Sequence, residues 1–166
     1  MGAINNFDCE GTLTIGGISI NRAAWAVLGD NTGQGGLLPL WIYTEQRGED
    51  RILPNAAGVI PYRRREAPTR HDLRLLITGD VDQNGAAVTD SRAGLATNLT
   101  YLETNVIQPT AATDGTRAAT LTVFGAASRS ANIHVLGLVP QEYHLSETST
   151  IMVATLQISI PAGRFV

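Results

Sequence analysis

The segment Thr69–Pro109, TRHDLRLLITGDVDQNGAAVTDSRAGLATNLTYLETNVIQP, decides the fold. Leu73, Leu75 and Ile77 alternate with Arg74, Leu76 and Thr78, the period-two pattern of a strand with one buried face. Asp82-Gln83-Asn84-Gly85 follows, with Asn and Gly able to take the positive φ that a tight turn asks for. Asp90 or Ser91 then offers an N-cap. Leu95, Leu99, Leu102 and Val106 recur at helical spacing and predict an amphipathic helix over 91–107, closed by Pro109. A lone helix of this kind in a β-rich chain must cover a sheet, so these four residues are the expected helix–sheet core.

On either side of this segment the chain reads as short β runs punctuated by Gly, Pro, Asn and Asp. Toward the N-terminus the expected strands are Thr12–Ile15, Ile18–Ile20 and Ala23–Leu28, the first two joined by a tight turn at Gly16-Gly17. The Gly-rich stretch 29–36 reads as a loop, Leu38–Thr44 as an edge strand interrupted by Pro39, and Gln46–Asp50 as a polar loop. Toward the C-terminus Arg117–Gly125, Asn132–Leu138 and Thr150–Ile160 carry β character, with Ser128–Ala131 as a connection. In the last strand Met152, Ala154, Leu156, Ile158 and Ile160 make one apolar face. The fold class is therefore all-β with one flanking α-helix near 91–107. Sandwich and barrel both use many short alternating strands, and the residues leave that choice open.

With 166 residues the chain is long enough to bury one sizeable core, and it reads as a single domain over 1–166. Its N-terminal third, 1–57, is strand- and loop-rich and could serve as an assembly arm. Apolar residues make up 43% and charged residues 16%, against about 25% charged in ordinary soluble domains. So few charges point to a surface partly covered in the working state, as in an oligomer. All twelve basic residues are arginine, which removes a Walker A phosphate loop, a Schiff base and a lysine general base. A net charge of −3 argues against duplex DNA or acidic membranes as partners. The single cysteine, Cys9, permits no intrachain disulfide.

No motif carries chemistry. Asp80-Val81-Asp82-Gln83-Asn84-Gly85 matches the first half of a calcium loop, and Asp80, Asp82 and Asn84 are the metal candidates. Ser91 stands where the bidentate Glu belongs, and the flank is a strand, so the segment reads as a turn. His71 and His134 fall on expected strands and His144 in the loop before the last one, with no ligand spacing among them. There is no Gly-x-Ser-x-Gly elbow and no Cys–His signature, so no catalytic residue and no cofactor is expected. Arg63, Arg64, Arg65 and Arg70 form the one basic cluster; with Tyr62 alone beside it, it reads as an inter-subunit surface. Trp25, Trp41 and Tyr43 read as core anchors.

Pro61-Tyr62-Arg63-Arg64-Arg65, Thr69-Arg70-His71, the run 73–82, and Ala93-Gly94-Leu95 with Asn98, Leu99 and Leu102 together resemble the small minor tail proteins of long-tailed actinobacterial phages. Those are similar in turn to distal tail and tail-tube proteins. The resemblance spans about Gly58–Gly163. It implies a tail-tube-like β-sandwich and a structural virion protein that is not an enzyme. It also implies a homohexameric ring at the tail tip, made in the host cytoplasm, which joins the tail tube to the distal tip complex. The implied partners are other copies of the chain and other tail proteins; DNA passes the lumen without specific binding, and no membrane is involved. A tail terminator or head–tail connector ring is the alternative within that class. A receptor- or glycan-binding β-sandwich is the alternative outside it.

Overall fold

The computed structural model describes residues 11–29, 36–42, 46–47, 51–52, 59–60, 65–66, 68–108, 115–123, 125–146 and 149–166. The strands are β1 (Gly11–Ile15), β2 (Ile18–Ser19), β3 (Trp25–Val27), β4 (Gln46–Arg47), β5 (Arg51–Ile52), β6 (Val59–Ile60), β7 (Arg65–Glu66), β8 (Thr69–Thr78), β9 (Arg117–Val123), β10 (Arg129–Leu145) and β11 (Thr150–Ile160). The helices are α1 (Leu38–Ile42) and α2 (Ser91–Leu102), and a π-helical turn, Glu103–Ile107, continues α2. The fold is all-β with α2 laid against the sheet.

Seven strands form one curled antiparallel sheet in the order β2-β1-β9-β10-β11-β8-β3. The joint between its two wings is β10: Arg129–Ile133 pair with β9, and His134–Leu145 pair with β11. Ladders β4–β7 and β5–β6 are separate two-stranded pairs. Because paired residues share a face, the register defines a continuous inner surface. It carries Leu13, Ile15, Leu121 and Val123 on one wing and Leu73, Leu75, Ile77, Met152, Ala154, Leu156 and Ile158 on the other, all buried in one core. Trp25 and Phe165 are the largest fully buried side chains in it.

Asp90 is the N-cap of α2, accepting from the Arg92 and Ala93 amides at 3.0 and 3.2 Å. Leu95, Leu102 and Val106 are buried; Leu99 is half-buried against the same core. The helix is drawn in by residues that a hydrophobic stripe does not reveal. Gly94 lies against Gly79 so closely that a Cβ on Gly94 would sit 2.1 Å from the Gly79 carbonyl oxygen. Buried Asn98 donates to the Thr78 and Val81 carbonyls at 2.8 and 2.9 Å, bonding the helix to the end of β8. The final turn widens to the π form, closed by the Gln108 amide on the Glu103 carbonyl, and Val106 remains fully buried.

Three expectations change. Of the expected strand Leu38–Thr44, Leu38–Ile42 is a short helix and 43–44 lie outside the described residues. Pro39 falls in the first turn, where its missing N–H costs no bond, and Leu37 and Leu40, three apart, both enter the core. In the polar stretch 46–50, Gln46–Arg47 pairs with Arg65–Glu66 rather than looping. The connection 128–131 and the strand 132–138 merge into the 17-residue β10, which takes in Arg129–Ala131 at one end and His144 at the other. Most of the 29–36 loop and Pro109 lie outside the described residues.

Candidate assembly surface

β10 is where the surface departs from that of an ordinary sheet. Past Ile133 it has β11 on one edge, and among the described residues no strand pairs with its other edge from His134 to Leu145. A row of open backbone donors and acceptors on an edge strand is a template for another chain. Large apolar side chains stand exposed along it. Leu136, Val139, Tyr143 and Leu145 are 50, 42, 62 and 59% exposed, four of the five large hydrophobic residues exposed among those described. Arg129 and Glu142 are the only Arg, Lys, Asp or Glu in the whole strand.

The register places these residues on both faces. Tyr143 and Leu145 pair with Met152 and Thr150, whose side chains point inward, and Val139 pairs with Thr155 on the outer face. Tyr143 is nevertheless exposed because α2 packs over β8 and β11, inboard of the outer strand. Two irregularities interrupt the edge, between Val135 and Gly137 and between Pro140 and Glu142. Bulges and proline are the usual devices that keep an exposed edge from indiscriminate pairing.

The strand is held firmly. Its turn to β11 closes on itself through Ser146 and Ser149, the Ser146 amide donating to the Ser149 carbonyl at 2.9 Å. Asp80 ties that turn to the body. Its carboxylate accepts from the Ser149 hydroxyl at 2.8 Å and from the Thr150 amide at 3.2 Å, while the Thr150 and Ser91 hydroxyls bond at 2.9 Å. An edge fixed in this way loses little entropy when a partner docks.

The other sequence-predicted residues are placed as follows. Asp82 Oδ1 accepts from the Asn84 and Ala86 amides, closing the turn in which Gly85 sits at φ +90°. Asp80 faces the β10–β11 turn, so the carboxylates of Asp80 and Asp82 serve different bonds. Among the described residues no group of three His, Cys, Asp or Glu side chains converges on a metal position. Arg70 is exposed on β8 and lines a cleft of about 410 Å³ with Gly36, Pro39, Leu40, His71 and Asp72. Arg65 lies on β7; Arg63, Arg64, Cys9 and Tyr43 are outside the described residues. His71 faces the inner side of β8, and burial pushes its imidazole below the ordinary value of 6.5 against a smaller upward pull from Asp72. Trp25 is fully buried, and half-buried Trp41 lies under the Arg129 guanidinium, 3.8 Å from the ring centre.

The expected strand Asn132–Leu138 covers the first part of the edge, and the rest escaped sequence reasoning because Pro140 and the polar Gln141-Glu142 break the alternation beyond it. Composition gives no signal there, since eight apolar and two charged residues among the seventeen of 129–145 are close to the balance of the whole chain. No family model matches the chain, and no curated protein matches it. Among the described residues no helix is long and apolar enough to cross a membrane.

Proposed function

We propose that the chain is a structural subunit of a long-tailed phage tail, assembling with its own copies into a ring through the free edge of β10. The observation that carries this reading is the twelve-residue edge His134–Leu145, unpaired among the described residues and bearing four exposed apolar side chains. The low charge supports it, since 16% charged residues leave little to keep such a surface apart from its neighbours. The resemblance to minor tail proteins supplies the phage context, the position at the tail tip and the sixfold number. In such a ring each copy would present its β10 edge to a different surface of the next, a head-to-tail contact that closes by symmetry. No chemistry is required of it.

The test is assembly itself. Negative-stain images and light scattering of the concentrated chain should show closed rings. Leu136→Lys with Val139→Lys, both on exposed positions, should leave a folded chain that forms none. Rings that survive both substitutions would remove the edge from the assembly. Failure to form rings at any concentration, together with absence of the chain from purified virions, would remove the tail reading altogether.

A further inference from the structure

The lower part of the β10 edge fits itself. Pro140 has no N–H to give, the strand ends at Leu145 before Ser146 closes the turn to β11 on the Ser149 carbonyl, and Gln141 enters between them as the extra residue of a bulge. The stretch that can take up another strand is therefore Gln141-Glu142-Tyr143-His144-Leu145. Two identical five-residue segments running antiparallel overlap completely in one register only, with Tyr143 on the twofold axis.

That register is also the one the facing side chains select. Pairing with β11 puts Glu142 and His144 on one face, beside Val153 and Ile151, and Tyr143 and Leu145 on the other, beside Met152 and Thr150. With the axis at Tyr143, Glu142 of each copy stands opposite His144 of the second copy, twice, and the two Tyr143 rings meet on the other face. A slip of one residue pairs opposite faces of the two strands. Slips of two residues preserve the faces but put the axis at Glu142 or at His144, setting carboxylate against carboxylate or imidazole against imidazole. Like charges directly opposite are destabilising, a carboxylate opposite an imidazole can accept its N–H, and two opposed aromatic rings pack favourably.

We propose that in the free chain this edge is capped by a second copy, through antiparallel pairing of Gln141–Leu145 about a twofold axis at Tyr143. The pair buries Tyr143, the most exposed aromatic ring on the edge, and occupies the strand that a ring would need. It is thus a holding state that must open before assembly. The inference goes beyond the tail reading and needs only the edge.

Thiol cross-linking tests it in a Cys9→Ser chain. Tyr143→Cys places two thiols on the axis, where opposed residues in an antiparallel pair lie within disulfide reach. Val139→Cys places them four residues to either side, roughly 26 Å apart at about 3.3 Å per residue. Mild oxidation should convert the first variant to a covalent dimer on a non-reducing gel and leave the second monomeric. In sedimentation equilibrium, Glu142→His should raise the dissociation constant about tenfold, from two lost pairs. Adding His144→Glu, which exchanges the partners, should restore it. Equal cross-linking at both positions, none at Tyr143→Cys, or no rescue by the exchange overturns the proposal. A chain that passes these tests, forms no rings and is absent from purified virions overturns the tail reading and leaves the pairing standing; rings without the Tyr143→Cys cross-link do the reverse.

Discussion

Asn98 does for α2 what no leucine in it can do, since it fixes the helix in rotation and in height against β8. Its amide group feeds two carbonyls, those of Thr78 and Val81, from a position 2% exposed. Asn98→Ala strands both acceptors in the interior and should cost roughly 1–3 kcal/mol in urea unfolding. A cost near zero would mean that water replaces the amide. Gly79 and Gly94 set the approach distance between the same two elements, and Gly79→Ala, whose Cβ would lie 1.8 Å from the Ser91 carbonyl oxygen, should be worse. His71 supplies a pH dependence. Burial holds its folded value below 6.5, so the unfolded chain binds a proton first. Stability is then full above about pH 6.5 and falls as the pH drops from there toward the folded value. His71→Gln should flatten that part of the profile in thermal melts; an unchanged slope would assign it to another group.

At the scale of elements, the grading of burial along α2 makes its own prediction. Leu102→Ala, at 2% exposure, should lose roughly 2–5 kcal/mol. Leu99→Ala, half-buried, should lose clearly less, and exposed Thr97→Ala close to nothing, all read as shifts in denaturant midpoint at constant slope. The same grading explains what was legible in the sequence. Thr150–Ile160 and Leu73–Thr78 each have one dry face, which their alternation states residue by residue, although Thr155 and Thr78 on the opposite faces are buried as well. The cap at Asp90 and the stripe through Leu95, Leu102 and Val106 are equally local signals. Sequence patterning ends β10 at Leu138 because, among the described residues, nothing buries its second half, and alternation reports burial. α1 was misread because five residues span barely more than one helical turn, too short for a period to show. Asn98 and Gly94 enter the sequence reading through the resemblance alone and not as packing residues, because a polar residue and a glycine look like the solvent side of a helix until the opposing backbone is known.

For the molecule as a whole, the sheet is one surface bent at β10, whose first part belongs to the β9 wing and whose far part belongs to the β11 wing. Asp80 controls how tightly its far end is held. Asp80→Ala removes the acceptor for the Ser149 hydroxyl and the Thr150 amide, while β9 keeps its ladders to β1 and to the first part of β10. Hydrogen exchange should accelerate in residues 141–151 and change little in Arg117–Val123. Uniform acceleration across the sheet would show that the turn and the wings unfold together. Sequence patterning could place the strands but not the bend, because the residue at which one strand exchanges partners depends on which neighbours end first.

The placement of the two tryptophans gives the molecule an optical readout of its own layers. Trp25 is sealed in the core, its ring 5.8 Å from that of Tyr101 and its indole N–H bonded to the Ser19 carbonyl. Trp41 rides on α1, clamped by Arg129, which covers its ring and donates to its carbonyl. Their emission should therefore separate by colour and by access to a quencher such as acrylamide. In a Trp41→Phe chain the remaining fluorescence follows collapse of the core alone, and its difference from the parent signal records when α1 lets go.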